Sequence, residues 1–209
     1  MVYSLTVKTA AVAEPVTLAE AKDHCRILDD VTDQDALISA LIVAAREWCE
    51  NFTRRSFVRR TYEMRLDNWF GGDRCREILL PRGPVSSVTH VKYTDSAGAL
   101  ATLAADQYQT GLYDMPARIV PAFGVVWPTV KPGAVDAVLI EYVAGYAPSS
   151  DSPTDHAANV PASVKAAMKL IVGHLYEQRE LSANSAIFEV PFAVKALLAP
   201  FEVRDYRLE

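Results

Sequence analysis

Apolar residues change their spacing twice along this chain, from a helical period to strict alternation near residue 57, and back to a helical period after residue 160. That pattern specifies an α+β protein with helices at both ends of an alternating middle. A parallel α/β sheet would alternate strand and helix throughout. The expected architecture is a mainly α-helical body of two N-terminal helices, one long and one short C-terminal helix, with an inserted small antiparallel β domain. Its expected bounds are residues 1–56 for the first part of the body and 57–146 for the β domain. A linker over 147–159, the rest of the body over 160–200 and a tail over 201–209 follow.

The first helix is announced by Thr17-Leu-Ala-Glu20, a capping box in which hydroxyl and carboxylate satisfy orphan amides reciprocally, with Leu18, Ala21, Cys25 and Leu28 on one face. Thr32 and Asp35 have the same capping spacing before a second helix. That helix carries Leu37, Ile38, Leu41, Ile42, Ala45, Trp48, Cys49 and Phe52 as a broad apolar stripe. The run from Asp29 to Asp35 does not make a calcium loop, because Val31 occupies a ligand position and the central glycine and distal glutamate are missing.

In the middle, Tyr62, Met64 and Leu66 alternate with Glu63, Arg65 and Asp67, and Gly71-Gly72-Asp73 breaks the strand. Further strands are expected at 77–80, 88–93, 118–120 and 135–143, with most prolines between them. Ala147 to Asp155 has linker composition. Val164, Met168, Ile171 and Leu175 then line a third helix, and Phe192 to Leu198 form a last one before Pro200.

Composition excludes several functions. With 21 Lys+Arg against 26 Asp+Glu the formal charge is −5, and a protein that grips nucleic acid needs a basic excess instead. The stretch from Ala36 to Ala45 is too short to span a bilayer, and Lys8 sits where the apolar core of a signal peptide would be. Cys25, Cys49 and Cys75 form no C-x-x-C pair, which points to buried thiols in a reducing compartment. His24, His90, His156 and His174 are scattered singly, and no glycine-rich nucleotide loop or G-x-S-x-G is present. No enzyme is expected, and no catalytic, metal or cofactor residue is assigned.

Two features point to assembly. Arg54, Arg55, Arg59 and Arg60 cluster after the second helix, as solvated charges near a helix C-terminus or as interface salt bridges. The tail carries Phe201, Val203, Tyr206 and Leu208 in alternation with charge, a pattern that orders on a neighbour or partner.

The chain resembles the head-to-tail connector (adaptor, or head completion) proteins of long-tailed bacteriophages, prophages and gene-transfer particles. The resemblance rests on Pro15-Val-Thr-Leu-Ala-Glu-Ala-Lys22, on Asp35-Ala-Leu-Ile38 with Leu41-Ile42 and Ala44-Ala-Arg-Glu47, and on Leu80-Pro-Arg-Gly-Pro-Val85 with Val88. Tyr93-Thr-Asp95 with Gly98, Trp127-Pro128, Tyr142-Val-Ala-Gly-Tyr146, Val160-Pro161 and His174-Leu-Tyr-Glu-Gln-Arg-Glu180 complete it. The resemblance implies a non-enzymatic virion protein at the head-tail junction, present in the host cytoplasm during assembly. It implies a homo-oligomeric ring under the portal protein, extending the DNA channel and meeting a tail-side stopper or tail completion protein. The loop from Trp69 to Arg76, with Gly71-Gly72 and Cys75, departs from the family.

At about twelve subunits the ring would carry a charge near −60, suiting a conduit through which DNA slides without specific binding and which contacts no membrane. Two alternatives stay open: a small hydrolase, and a monomeric ligand-binding module with an exposed aromatic patch including Trp69 and Trp127.

Overall fold

The computed structural model describes residues 3–11, 13–69, 77–146, 159–178 and 192–203. The expected linker, the Gly71-Gly72 loop with Cys75, and Tyr206 and Leu208 lie outside them. The chain divides into two compact units. A β unit takes Met1–Ala11, Arg59–Gly145 and Val203–Glu209, and a helical unit takes Val12–Val58 and Tyr146–Glu202.

In the helical unit, α1 (Leu18–His24) opens with the expected capping box, Thr17 accepting from the Glu20 amide and Glu20 accepting from the Thr17 amide. It is shorter than expected. Arg26 takes a positive φ of 57°, which turns the chain and leaves Leu28 71% exposed instead of on the inner face. The second helix, α2 (Asp35–Thr53), is capped at Gln34 without a side-chain bond, so the Thr32 capping box does not form. Asp35 is committed elsewhere: buried Lys22 holds its carboxylate at 2.8 Å and donates to the Asp29 carbonyl. The acidic run is thus tied down by a lysine of the preceding helix.

Ile38, Ile42, Ala45 and Cys49 of α2 join Val164, Ala167, Met168 and Ile171 of α3 (Ala162–Glu177) in one buried cluster, completed by Val194 and Leu198 of α4 (Phe192–Leu198). Each large side chain there contributes roughly 1.5 to 3 kcal/mol. Phe57 and Tyr146, expected to open and close the β domain, stack at 6.4 Å within the helical unit.

The β unit begins with β1 (Ser4–Thr9), which sequence reasoning missed. It pairs antiparallel with β2 (Arg60–Leu66), so residues ahead of the helices supply a strand to the sheet that follows them. The chain continues through β3 (Ile78–Leu80), β4 (Val85–Thr94), β5 (Leu100–Leu103), β6 (Tyr108–Gly111), β7 (Ala117–Pro121) and β8 (Val138–Ala144). One antiparallel sheet runs β1-β2-β8-β4-β5 and a second runs β3-β7-β6.

Along β8, Val138, Ile140, Tyr142 and Ala144 point inward by strict alternation. Residues of both sheets, such as Met64 and Ile140 from one and Leu80 and Ile119 from the other, share one core. Tyr142 is fully buried and donates to the Pro81 carbonyl at 2.8 Å, which pins the Leu80 to Val85 turn. Trp69 and Trp127 stack at 4.6 Å and 3°, and Trp69 Nε1 donates to the Pro128 carbonyl.

Candidate assembly interface

The basic cluster sits where α2 ends. Arg54 caps the helix in the left-handed conformation at φ 57°, its amide donating to the Glu50 carbonyl. A residue with a Cβ is disfavoured there by about 1 kcal/mol relative to glycine. Its side chain is exposed, as is that of Arg59, while Arg55 and Arg60 are half-buried. Arg55 reaches the C-terminal segment: its Nε donates to the Phe201 carbonyl and its guanidinium lies 5.7 Å from the centre of the Phe201 ring.

The structure therefore brings together one member of each predicted set. Phe201 is half-buried against the helical core, and Val203 is buried at 8% exposure. Both are occupied within their own subunit, and the part of the tail that follows them lies outside the described residues.

Other arrangements bear on chemistry. A cleft of about 550 Å³ in the helical unit is lined by His24, Cys25, Arg26, His174, Tyr176 and Glu177. A nucleophilic thiol needs a lowered pKa. Here burial, with the nearby Glu177 charge, pushes the Cys25 thiol up and keeps it protonated. Among the described residues no three histidine, cysteine or acidic side chains are placed to hold a metal ion. Trp69 and Trp127 are 3% and 9% exposed, so this pair offers no aromatic platform to a ligand.

On the β unit, Lys8 holds Glu63 at 2.9 Å and Glu141 at 3.1 Å, and Arg65 holds Glu63 at 2.6 Å. The Lys8 hydrogen bond, with help from Arg65, keeps the Glu63 carboxyl below its ordinary range despite burial. The same bonds to Glu63 and Glu141 raise Lys8. Sequence reasoning passed over the turn after β7, where Phe123 is fully exposed and Val126 is 71% exposed. Its only signal is five successive uncharged residues, Ala-Phe-Gly-Val-Val, ahead of Trp127.

Residues 15–95 match the model of the phage gp6-like head-tail connector protein family. The fold matches a chain from the neck of an empty gene transfer agent (GTA) particle computed with C6 symmetry. That match has 26% identity and a TM-score of 0.75, covering 97% of this chain and 96% of that one. Both likenesses, in sequence over residues 15–95 and in fold over nearly the whole chain, are to head-tail connector and neck proteins.

A chain of the native GTA virion matches at 26% identity over 96% of both chains, TM-score 0.74. A chain of the native GTA neck computed with C12 symmetry matches at 26% identity over 97% of this chain and 96% of that one, TM-score 0.72. No curated protein matches the sequence. The family match spans α1, α2, β2, β3 and β4 of this chain. Residues in it that carried the resemblance have structural work: Thr17 and Glu20 cap α1, Ile38 and Ile42 fill the helical core, and Pro81 receives the Tyr142 hydroxyl.

Proposed function

We propose that this chain is a head-tail connector, a non-enzymatic structural subunit that forms a ring at the head-tail junction of a phage-like particle. The ring lies under the portal, extends the DNA channel and gives the tail-side completion protein its attachment surface. The observation that carries this reading is the likeness to GTA neck chains over nearly the whole length, at a TM-score of 0.75. The C6 and C12 symmetries in which those necks were computed support a ring. The mildly acidic charge of −5 supports passage of DNA without specific binding, since accumulated negative charge repels phosphate.

The C-terminal segment is the portal-side contact in this reading, with Tyr206 and Leu208 as its anchors. Phe201 and Val203, held in their own subunit, serve as its root. The exposed Arg54 and Arg59 are the members of the basic cluster that this reading assigns to salt bridges with a neighbouring subunit. Electron microscopy of the purified connector, alone and with portal from the same genome, tests the reading. Closed rings stacked on the portal are expected. A monomer that never joins portal, or one that binds duplex DNA in a salt-dependent way at micromolar concentration, would refute it. Truncation after Val203 separates the anchors from the root: the body stays folded and portal docking is lost.

A further inference from the structure

The five-stranded sheet of the β unit has two open edges. Its order, β1-β2-β8-β4-β5, leaves the outer sides of β1 and β5 without a neighbouring strand. Among the described residues, no backbone hydrogen bond reaches Ser4–Thr9 or Leu100–Leu103 from outside their ladders with β2 and β4. Such an edge is a row of unpaired donors and acceptors, which proteins usually blunt with charge, proline or a bulge.

Neither edge is blunted over its regular part. In β1 the register with β2 is unbroken from Ser4 to Val7 and shifts only after it. The charge in this strand, Lys8, is turned back over the sheet to hold Glu63 of β2 and Glu141 of β8. In β5 all four residues, Leu100 to Leu103, pair regularly with β4, and none is charged or proline. The nearest charges of the two ladders stand one strand in: Lys92 opposite Thr102, Arg65 opposite Ser4 and Glu63 opposite Thr6.

The pleats of the two edges match as well. Leu5 and Val7 lie opposite buried Met64 and Tyr62, so they point to the core side of the sheet. Ala101 and Leu103 do the same, opposite Tyr93 and buried Val91. Val7 is nevertheless 45% exposed, as an inward residue is when the sheet ends beside it.

Strand direction selects the occupant. Successive strands of this sheet are antiparallel and five is an odd number, so β1 and β5 run the same way. A second copy that extends the sheet with its core side kept inward therefore lays its β1 parallel to β5 of the first. That contact is heterologous, each copy using two different edges, and it repeats until a ring closes, whereas β1 on β1 would be a two-fold contact that stops at a pair. We propose that β5 of one copy pairs with β1 of the next, making the sheet continuous around the ring. The register that uses all four residues of each edge and keeps the pleat sets Thr102 beside Thr6 and Leu103 beside Val7. The proposal rests on the connector reading for the existence of a ring and adds the surfaces that close it.

The test uses the full chain, alone and with portal from the same genome, as wild type, as Thr6→Cys, as Thr102→Cys and with both substitutions together. Three strands separate β1 from β5 within a copy, beyond the span of a disulfide, so a bond between these two positions joins different copies. After mild oxidation, the double variant should give a ladder of covalent oligomers up to the ring on a non-reducing gel, and each single variant no more than wild type does. A dimer from either single variant would make the edge contact two-fold and overturn the proposal. So would electron micrographs of closed rings in the double variant without a ladder, which would leave the connector reading standing. Val7→Lys and Ala101→Lys each place a charge that a lone copy leaves at an open edge and a continuous sheet would bury. Each should abolish rings in mass photometry while the monomer keeps its wild-type melting curve, and rings of normal size in both would also overturn the proposal. Wild-type protein that forms no ring, alone or on portal, would overturn the connector reading and this assignment with it.

Discussion

Cys49 sits on the inner face of α2 with no exposure, and burial, reinforced by the neighbouring Glu50 charge, pushes its thiol up to about 12. Only the thiolate alkylates, so Cys49 should resist iodoacetamide at pH 8 in the native protein and label fully in denaturant, as read by peptide mass mapping. Glu63 makes the opposite case. Its folded-state pKa is lowered, so the stability it contributes is fully present above the ordinary carboxylate range near 4.3 and is lost as pH falls through the lower folded value. Acid unfolding of the β unit below about pH 4 should therefore be partly relieved of its pH dependence by Glu63→Gln, as followed by tryptophan fluorescence of the Trp69 and Trp127 pair. The burial of Cys49 was legible in the sequence from its place on the apolar stripe of α2, whereas the ion pairs of Glu63 were not. Glu63 reads there as one polar residue of an alternating strand, and its partner Lys8 lies 55 positions earlier, in a strand whose pairing no local pattern announces.

Elements were legible where a local rule and the tertiary context agreed. The α1 capping box formed because both of its partners are three residues apart and free to close on each other. The second box failed because Asp35 had a stronger claim on it from buried Lys22. Strand β1 went unseen because it is an edge strand with five of its six residues exposed, so no apolar face marks it. The helical stripe of α2 was legible, but not the charges that cross it. Arg46 is 5% exposed and held by Glu14 at 2.7 Å and Glu50 at 2.8 Å, while Glu50 also accepts from the Phe57 amide. Glu50→Ala would weaken the hold on a buried guanidinium and strip that amide of its acceptor, so a loss of about 2 to 4 kcal/mol in urea unfolding is expected. Glu50→Gln keeps a carbonyl for the amide and should lose less.

At the scale of the molecule, two cores of different kinds, one of helices and one of sheets, are expected to fold separately. Val58 and Tyr146 are bridge partners inside the helical unit, so the chain leaves and returns at adjacent points. Replacing Arg59–Gly145 by a short flexible linker, with residues 1–11 removed, should leave a protein with helical circular dichroism and a cooperative melt. Complete loss of that signal would show the β unit to be integral. The four crossings of the chain between units also set an order of events on the ribosome. Every strand has been made once Ala144 emerges, whereas α1 and α2 wait for α3 and α4, which begin at Ala162 and Phe192. At about 10 residues per second, the apolar stripe of α2 stays uncovered for roughly ten seconds while more than a hundred further residues are added. The last helices made are the ones that shelter the first, so a nascent chain stalled after β8 displays a finished sheet beside a sticky helix and becomes a client for chaperones.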